Sequence, residues 1–350
     1  GVEKWRCTDT LKQYCAARIR ERNPDSKTFN AIFRAALLLE AQGLRFDSYM
    51  QYIELQREPE KKFWMPRKAQ FMAVANAIQD LIDDRLDILT VSLPPGSGKS
   101  TLEIFLHSMS IGAFPDNPSL ASGHSGILTN SIYEGVLSII RDKDDYLWDD
   151  VFPDAGNIIT NAKEQTIDIG KKHRFSSLTC RAIGASLTGA TRCEKLLTAD
   201  DLVSGIEEAL SRDRLDKLWT AYTNDLKSRK KLGCKELHLA TRWSVHDPIG
   251  RLQVMYGDDP RAKFIVIPAV DEFGESNFNY KYGVGFDKKY FDDMKENLDD
   301  CSWRALFMNQ PIEREGLLYN EDELRRYFEL PSGTPDAMQI FLLKHQLVLK

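Results

Sequence analysis

A run of glycine, serine and lysine between two apolar segments has the composition of a phosphate-binding loop. The run occupies residues 96–100 within the stretch 91–101, and its glycines at positions 96 and 98 allow backbone N–H groups to turn toward phosphate oxygens. Lys99 can reach the β- and γ-phosphates, and the Ser100 hydroxyl can hold Mg²⁺. The residues expected to bind the nucleotide phosphates are Pro95, Gly96, Ser97, Gly98, Lys99, Ser100 and Thr101.

The usual spacing of such a loop places a glycine where this sequence has Leu93. A glycine- and serine-rich turn that merely contains a lysine is therefore the simpler interpretation. Residues 86–93 are rich in β-branched and apolar side chains, as in a buried parallel strand, and an apolar helical pattern begins at Leu102. A strand, a loop and a helix in this order indicate nucleotide binding.

Two adjacent acids, Asp200 and Asp201, follow the apolar segment 195–199. At the carboxyl end of a strand, Asp200 would hold Mg²⁺ and Asp201 would orient and deprotonate the attacking water. The second position is more often Glu, and Asp201 is one methylene shorter. A strand followed by an Asp helix cap is the alternative. The phosphate loop upstream favours the catalytic interpretation.

Polar residues near these motifs add to the expected site. Thr241 ends the apolar segment 236–240, where its hydroxyl would sense the γ-phosphate. Arg67 and Gln70 follow two aromatic residues upstream of the loop. The Gln amide can bind the edge of adenine while an Arg or aromatic side chain stacks on the base. A capped amphipathic helix over 71–81 is the simpler interpretation of that segment.

Two other clusters are assigned no chemistry. His246 and Asp247 could suggest a catalytic or metal-binding pair, but no further ligand accompanies them, which favours a hydrogen bond within a loop. The cations at 227–231 end a predicted helix over 206–229. They complement the helix dipole, although they could also contact DNA phosphates.

The composition describes an ordinary globular protein: of 350 residues, 42% are hydrophobic and 28% charged, with a net charge of −5. No apolar run approaches ~20 residues, and charged residues precede any apolar stretch at the N-terminus, so neither a membrane span nor a signal peptide is expected. The six cysteines show no zinc spacing and are expected to be reduced thiols in the cytoplasm. Any contact with nucleic acid requires a local basic surface.

Several short motifs occur in an order that resembles the large subunit of the DNA-packaging terminases of tailed phages and prophages, over roughly residues 63–330. Each motif alone is weak, whereas the ordered set is specific. The motifs are Pro94-Pro95-Gly96-Ser97-Gly98-Lys99-Ser100, Ala121-Ser122-Gly123-His124-Ser125, Ile139-Ile140-Arg141, residues 146–154, residues 184–189, Asp200-Asp201, residues 241–247, Phe307-Met308-Asn309-Gln310-Pro311 and Glu315-Gly316.

This resemblance implies a motor that hydrolyses ATP with Mg²⁺ to move double-stranded DNA into a procapsid. It implies that Lys99 and Ser100 bind the ATP phosphates and Mg²⁺, that Asp200 is the Mg²⁺ acid and that Asp201 is the catalytic carboxylate. Thr241 would couple hydrolysis to movement. The implied partners are the terminase small subunit, the portal protein and further copies of the chain in a ring on the portal, in the cytoplasm of a bacterial host.

The family also uses an arginine to stabilise charge on the γ-phosphate, and some members carry it in the phosphate loop. Here Pro94 and Pro95 occupy that region, so the arginine must come from elsewhere. Arg141 and Arg192 are the candidates, and Arg141 could act on a neighbouring subunit.

The expected fold is an α/β P-loop NTPase of the additional-strand type. It has a mainly parallel central sheet flanked by helices, and a further strand separates the phosphate-loop strand from the acid strand. Residues 1–60 are expected to form a helical N-terminal part and residues 61–270 the ATPase core. Residues 271–330 are expected to form a small C-terminal lid or linker, followed by a short tail at 331–350.

Large subunits of full length continue into an RNase H-like nuclease, which needs several carboxylates around two metal ions. After Pro331 only the acid Asp336 occurs, so this chain is expected not to cut DNA. A helicase with the same core is one alternative, but residues 270–350 are too few for a second RecA-like domain. A non-catalytic prophage remnant that binds nucleotide or partner proteins is the other alternative.

Overall fold

The structure, a computed structural model, describes residues 26–185 and 191–312. The helices are α1 (Ser26–Gln42), α2 (Phe46–Ile53), α3 (Trp64–Ile82), α4 (Lys99–Ala113), α5 (Gly126–Arg141), α6 (Trp148–Val151), α7 (Ile206–Ala209), α8 (Arg212–Ala221), α9 (Pro248–Tyr256), α10 (Lys288–Asn297) and α11 (Asp300–Ser302). The strands are β1 (Ile88–Ser92), β2 (Ser119–Gly123), β3 (Asn157–Asn161), β4 (Thr166–Gly170), β5 (Leu178–Ala182), β6 (Leu196–Asp200), β7 (Lys235–Ala240) and β8 (Ala262–Val266). Short 3₁₀ or π-helical turns cover Pro59–Lys61, Tyr222–Leu226, Lys227–Arg229, Lys281–Gly283 and Trp303–Phe307.

The eight strands in this part of the chain form one sheet in the order β3-β4-β5-β2-β6-β7-β1-β8. The pairs from β5 to β8 are parallel, whereas β3 and β4 pair antiparallel, as do β4 and β5. Every residue of β1, β2 and β6 is buried, as a sheet covered by helices requires. The predicted α/β fold with a mainly parallel sheet is confirmed, and the carboxyl ends of β1, β2, β6 and β7 meet at one edge.

Strand β7 lies between β1 and β6 in this sheet. It therefore separates the strand that precedes the phosphate-loop sequence from the strand that ends in the paired acids. Residues Ile88 to Ser92 of β1 pair with residues 236–240 of β7, and Leu196 to Asp200 of β6 pair with residues 235–239. This register brings the ends of the three strands to the same level.

Some element bounds differ from those that the sequence predicts. The helix expected over 71–81 begins at Trp64, because Pro66 lies in the first helical turn, where the N–H groups have no intrahelical partner. The helix expected over 206–229 is divided into α7, α8 and irregular helical turns. The edge strand β3 was not expected, because its alternating residues are only half-buried and it has asparagine at both ends.

Residues from the predicted N-terminal part, core and lid share one hydrophobic cluster, which includes Phe46, Leu89 and Phe278. The hydroxyls of Tyr49 and Ser108 also join α2 to α4 by a hydrogen bond of 2.7 Å. The predicted tail at 331–350, residues 313–330 of the predicted lid and residues 1–25 lie outside the described residues. Within the described ranges, no helix has the length and apolar character needed to cross a membrane.

Candidate nucleotide-binding site

The segment between β1 and α4 forms a turn whose shape depends on two glycines. Gly96 and Gly98 have φ values of +71° and +103°, in the left-handed region, and Gly98 is the N-cap of α4. A Cβ atom on Gly98 would approach Cε2 of Phe63 to 2.8 Å. Ser97 closes the turn by donating its hydroxyl to the carbonyl of Pro94 at 2.8 Å. The first turn of α4 leaves N–H groups without intrahelical partners, which is the arrangement that binds phosphate.

Leu93, which stands where the usual motif has glycine, is fully buried. Its N–H donates to the carbonyl of Ala240 at 3.2 Å, so it extends the pairing of β1 with β7. Its own carbonyl accepts hydrogen bonds from Lys99 Nζ and Thr241 Oγ1, each at 3.3 Å. Leu93 therefore belongs to the strand and the core rather than to the turn.

The Lys99 side chain lies between the ends of the strands and is only 5% exposed. Its Nζ atom donates to the carbonyl of Pro94 at 3.1 Å and to Thr241 Oγ1 at 2.8 Å. The same nitrogen is 3.6 Å from Oδ2 of Asp201. The structure thus brings together Lys99, Thr241 and Asp201, which are distant in sequence.

Asp200 ends β6 and is completely buried. The Ser100 hydroxyl donates to its Oδ2 atom, while Oδ1 is buried and has no hydrogen-bond partner. Burial is the largest influence that raises the pKa of Asp200 well above its ordinary value, and the nearby carboxyl groups of Glu103 and Asp201 raise it further.

The unpartnered Oδ1 atom of Asp200 and the adjacent Ser100 hydroxyl are groups that could coordinate a divalent cation, which would offset the negative charge of the carboxylate. Within residues 26–185 and 191–312, no group of three or more His, Cys, Asp or Glu could hold a metal ion. Mg²⁺ would therefore take its other ligands from nucleotide phosphates and water, as it does in nucleotide sites.

Asp201 has a left-handed backbone with φ of +40°, and hydrogen bonds fix both its backbone and its carboxylate. Its N–H donates to the carbonyl of Leu239 at 2.8 Å, and its carbonyl accepts from His124 Nδ1 at 2.8 Å. The Thr241 N–H donates to Oδ1 at 2.7 Å. Its side chain is 28% exposed, and its Oδ2 atom lies 3.6 Å from Lys99 Nζ.

A cavity of about 420 Å³ opens beside Lys99, Asp201 and Thr241. Its volume is in the range typical of small-molecule sites. In the part of the chain that the structure describes, no arginine lines this cavity. The lining residues are Pro95, Gly96, Gly98, Lys99, Ser100, Thr101, His124, Asp201, Val203, Ser204, Thr241 and Trp243.

The two residues expected to bind adenine lie on α3, next to the turn. The Arg67 guanidinium is 4.8 Å from the centre of the Phe63 ring and 5.0 Å from that of Tyr280, and its Nη1 donates to the Phe63 carbonyl at 2.9 Å. Burial lowers the pKa of Arg67. Gln70 lies one turn further along α3, and its Oε1 atom is buried without a hydrogen-bond partner. Their roles in binding the base stay a prediction.

The structure brings neither candidate arginine to the cavity within this chain. Arg141 is the last residue of α5 and donates to Thr160 Oγ1 at 3.1 Å. Because α5 begins near the cavity and has 16 residues, its end lies about 24 Å away along the helix axis. Arg192 pairs with Glu194 at 2.6 Å and precedes β6, whereas the paired acids follow β6 at the opposite edge of the sheet.

The clusters to which the sequence assigns no chemistry have structural contacts. Asp247 caps α9, accepting from the Gly250 N–H at 2.8 Å, and pairs with Arg242 Nε at 2.8 Å. Lys230 forms a 2.6 Å ion pair with buried Glu236. These contacts support the hydrogen-bonded loop and the structural interpretation of the cations.

Two residues at this site have no role that the sequence predicts. His124 lines the cavity, and Glu103 is a fully buried acid on α4 whose carboxyl group raises the pKa of Asp200. His124 directly follows a buried strand, as Thr241 does, and this position in the sequence could have predicted its place at the site. Glu103 gives no such signal, because an acid on an amphipathic helix usually faces solvent.

No protein-family model matches the sequence, and no curated protein matches it. Among solved structures, its fold is similar to that in the crystal structure of the HK97 bacteriophage large terminase, with a TM-score of 0.52 and 12% sequence identity. The match covers 83% of this chain and 60% of the terminase chain, so the chain spans less than two thirds of that protein's length. At this identity the likeness concerns the fold. In its fold, this chain resembles the large subunit of a phage terminase.

Proposed function

We propose that this chain is the ATPase motor of a DNA-packaging terminase large subunit, built as a P-loop NTPase of the additional-strand type. It would hydrolyse ATP to ADP and phosphate and use the energy to move double-stranded DNA into a procapsid. The observation that carries this proposal is the convergence of Lys99, Asp201 and Thr241 on one cavity at the edge of a terminase-like sheet.

The residues of the cavity have distinct roles in the proposed reaction. The glycine turn at 96–98 and the start of α4 bind the phosphates, and Lys99 exchanges its carbonyl partners for phosphate oxygens. Bound Mg²⁺, held by Ser100 and Asp200, would neutralise phosphate charge. Asp201 accepts the proton of the attacking water on Oδ2, because the Thr241 N–H already occupies Oδ1.

The proposed partners follow from the motor function. Contacts to double-stranded DNA would be made to its phosphates, and binding would therefore be independent of sequence and sensitive to salt. A terminase small subunit would deliver the DNA, and a ring of these chains would act on a portal protein in the cytoplasm of the bacterial host.

A second candidate is a nucleotide-binding protein without catalysis. The absence of an arginine around the cavity, among the described residues, favours this alternative, since phosphoryl transfer needs positive charge at the γ-phosphate. The same observation is compatible with an arginine supplied by a neighbouring copy.

ATP turnover by the wild type and two variants tests the proposal. Lys99→Ala should weaken ATP binding and abolish turnover, because it removes the buried cation at the phosphates. Asp201→Ala should retain ATP binding and lower kcat by about 10²–10⁴-fold, as expected for the loss of a general base. Exposed Lys163→Ala and Asp258→Ala are matched controls and should behave as wild type. Equal turnover in Lys99→Ala, Asp201→Ala and the wild type would exclude hydrolysis at this site.

A further inference from the structure

We propose that His124 is a positioning residue, which holds the carboxylate of Asp201 in its working orientation through a hydrogen bond to the Asp201 backbone carbonyl. This inference rests on the proposed ATP hydrolysis. His124 follows β2 and Asp201 follows β6, and the parallel register of these neighbouring strands aligns Gly123 with Asp200. The two side chains therefore emerge together at the edge of the sheet where the cavity lies.

The close approach of the strand ends depends on Gly123. A Cβ atom at this position would lie 3.1 Å from the carbonyl oxygen of Asp200 and 2.7 Å from Cδ2 of Leu128. Because glycine leaves this space open, the residue after it, His124, comes within 2.8 Å of the Asp201 carbonyl.

Asp201 needs such a restraint because its φ of +40° is a conformation that L-residues rarely adopt. Three hydrogen bonds hold it: its N–H donates to Leu239, the Thr241 N–H donates to its carboxylate, and His124 donates to its carbonyl. The first two involve only backbone groups of the partner residues, whereas the third comes from a side chain. A substitution at His124 can therefore remove one restraint while the pairing of β6 with β7 is kept.

The hydrogen bond also determines which ring nitrogen of His124 carries a hydrogen. A carbonyl oxygen can only accept, so the Nδ1 atom of His124 must carry the hydrogen. Without this bond the peptide after Asp201 is free to rotate, and the carboxylate moves with it. A displacement of about 1 Å from the attack geometry can cost about 10²-fold in rate.

Three variants separate positioning from other roles. His124→Ala removes the donor, His124→Asn places an amide N–H close to the Nδ1 position, and Ile127→Ala, at a residue 87% exposed, is the control. We expect His124→Ala to lower kcat by about 10–100-fold with KM and affinity for a non-hydrolysable ATP analogue changed less than about 3-fold. His124→Asn should recover most of the rate, and Ile127→Ala should match the wild type.

The inference would be overturned by unchanged kcat in His124→Ala, by His124→Asn as slow as His124→Ala, or by loss of analogue binding in His124→Ala. A second readout does not depend on activity. In ¹⁵N-histidine NMR spectra, the signal that disappears in His124→Asn should belong to the Nδ1–H tautomer, and an Nε2–H tautomer would contradict the hydrogen bond. If wild-type turnover does not depend on Lys99, the proposed function fails, whereas the tautomer still tests the contact.

Discussion

At the scale of single residues, Glu103 combines complete burial with an unsatisfied carboxyl oxygen. Its Oε1 atom accepts a hydrogen bond from Thr198, which also contacts His107 Nε2 at 2.7 Å, while its Oε2 atom has no partner. Burial raises the pKa of Glu103 to about 8, the Thr198 hydroxyl opposes this shift, and the Asp201 charge adds to it. Glu103 is therefore expected to be protonated in the folded protein at neutral pH.

The sign of the resulting pH dependence follows from proton binding. Between the ordinary pKa of about 4.5 and the folded value of about 8, the folded state binds more protons than the unfolded state. The free energy of unfolding should therefore decrease as the pH rises through this window and level off above it. Glu103→Gln, which cannot ionise, should lose this dependence and be more stable than the wild type at about pH 9 by a few kcal/mol.

Urea denaturation at about pH 6 and about pH 9 measures this difference. Glu134→Gln, at an exposed position on α5, is the matched control and should keep the wild-type pH dependence. A Glu103→Gln profile parallel to that of the wild type would show that Glu103 is already ionised in the folded protein.

At the scale of elements, residues after β8 pack against the glycine turn at 96–98. The Phe286 ring stacks on Tyr290 with centroids 4.5 Å apart, and Arg67 Nη2 on α3 donates to the carbonyl of Val284 at 3.2 Å. A Cβ atom on Gly96 would approach Cζ of Phe286 to 2.9 Å. The turn is thus held between α3 and the segment that begins α10.

Gly96→Ala should consequently strain the turn in two ways, through its positive φ and through Phe286. We expect the free energy of unfolding to fall by about 1–3 kcal/mol and the affinity for ATP to fall as well. Thermal unfolding with and without ATP measures both effects. Gly126→Ala is the control, since a Cβ there meets nothing within 4 Å, and it should be neutral. Similar effects in both variants would exclude a special role of the Phe286 contact.

The sequence predicts best those elements in which consecutive residues are apolar and buried. Where a core strand is a continuous apolar run, as in β1, β6 and β7, it lies within one or two residues of its predicted position. The edge strand β3 lacks such a run, and its pairing with β4 is what makes it a strand. The irregular turns after α8 likewise depend on contacts such as that of Tyr222 with Glu236.

The same distinction applies to the site. Residues that directly follow core strands, such as Asp201 and Thr241, could be predicted because the sheet determines where they lie. Arg141 and Arg192 could not be placed from their neighbours in sequence, because their location depends on which end of an element faces the cavity. The contact between Gly96 and Phe286 joins residues 190 positions apart in the chain, and no local pattern reveals it.

At the scale of the whole molecule, the proposed ATPase site lacks the positive charge of an arginine among the described residues. No arginine among the described residues lines the cavity, although phosphoryl transfer is accelerated by about 10³–10⁵-fold when an arginine stabilises the transition state. A neighbouring copy of the chain can supply this group, as heterologous contacts in a ring allow. We therefore expect ATP turnover per chain to increase with protein concentration, whereas a complete site within one chain would give a constant value.

Mixing two inactive variants tests which arginine crosses between copies. Arg141 is exposed at the end of α5. Among the described residues its side chain donates one hydrogen bond, to Thr160, so the side chain can reach a neighbouring copy. If Arg141 acts in trans, Arg141→Ala and Asp201→Ala should each be inactive, yet their mixture should regain part of the activity. Some contacts in the mixture then join an intact Asp201 to an intact Arg141. Arg192→Ala, whose side chain is engaged with Glu194, is the comparison and should retain activity alone. A mixture as inactive as its components would exclude Arg141 as the missing charge.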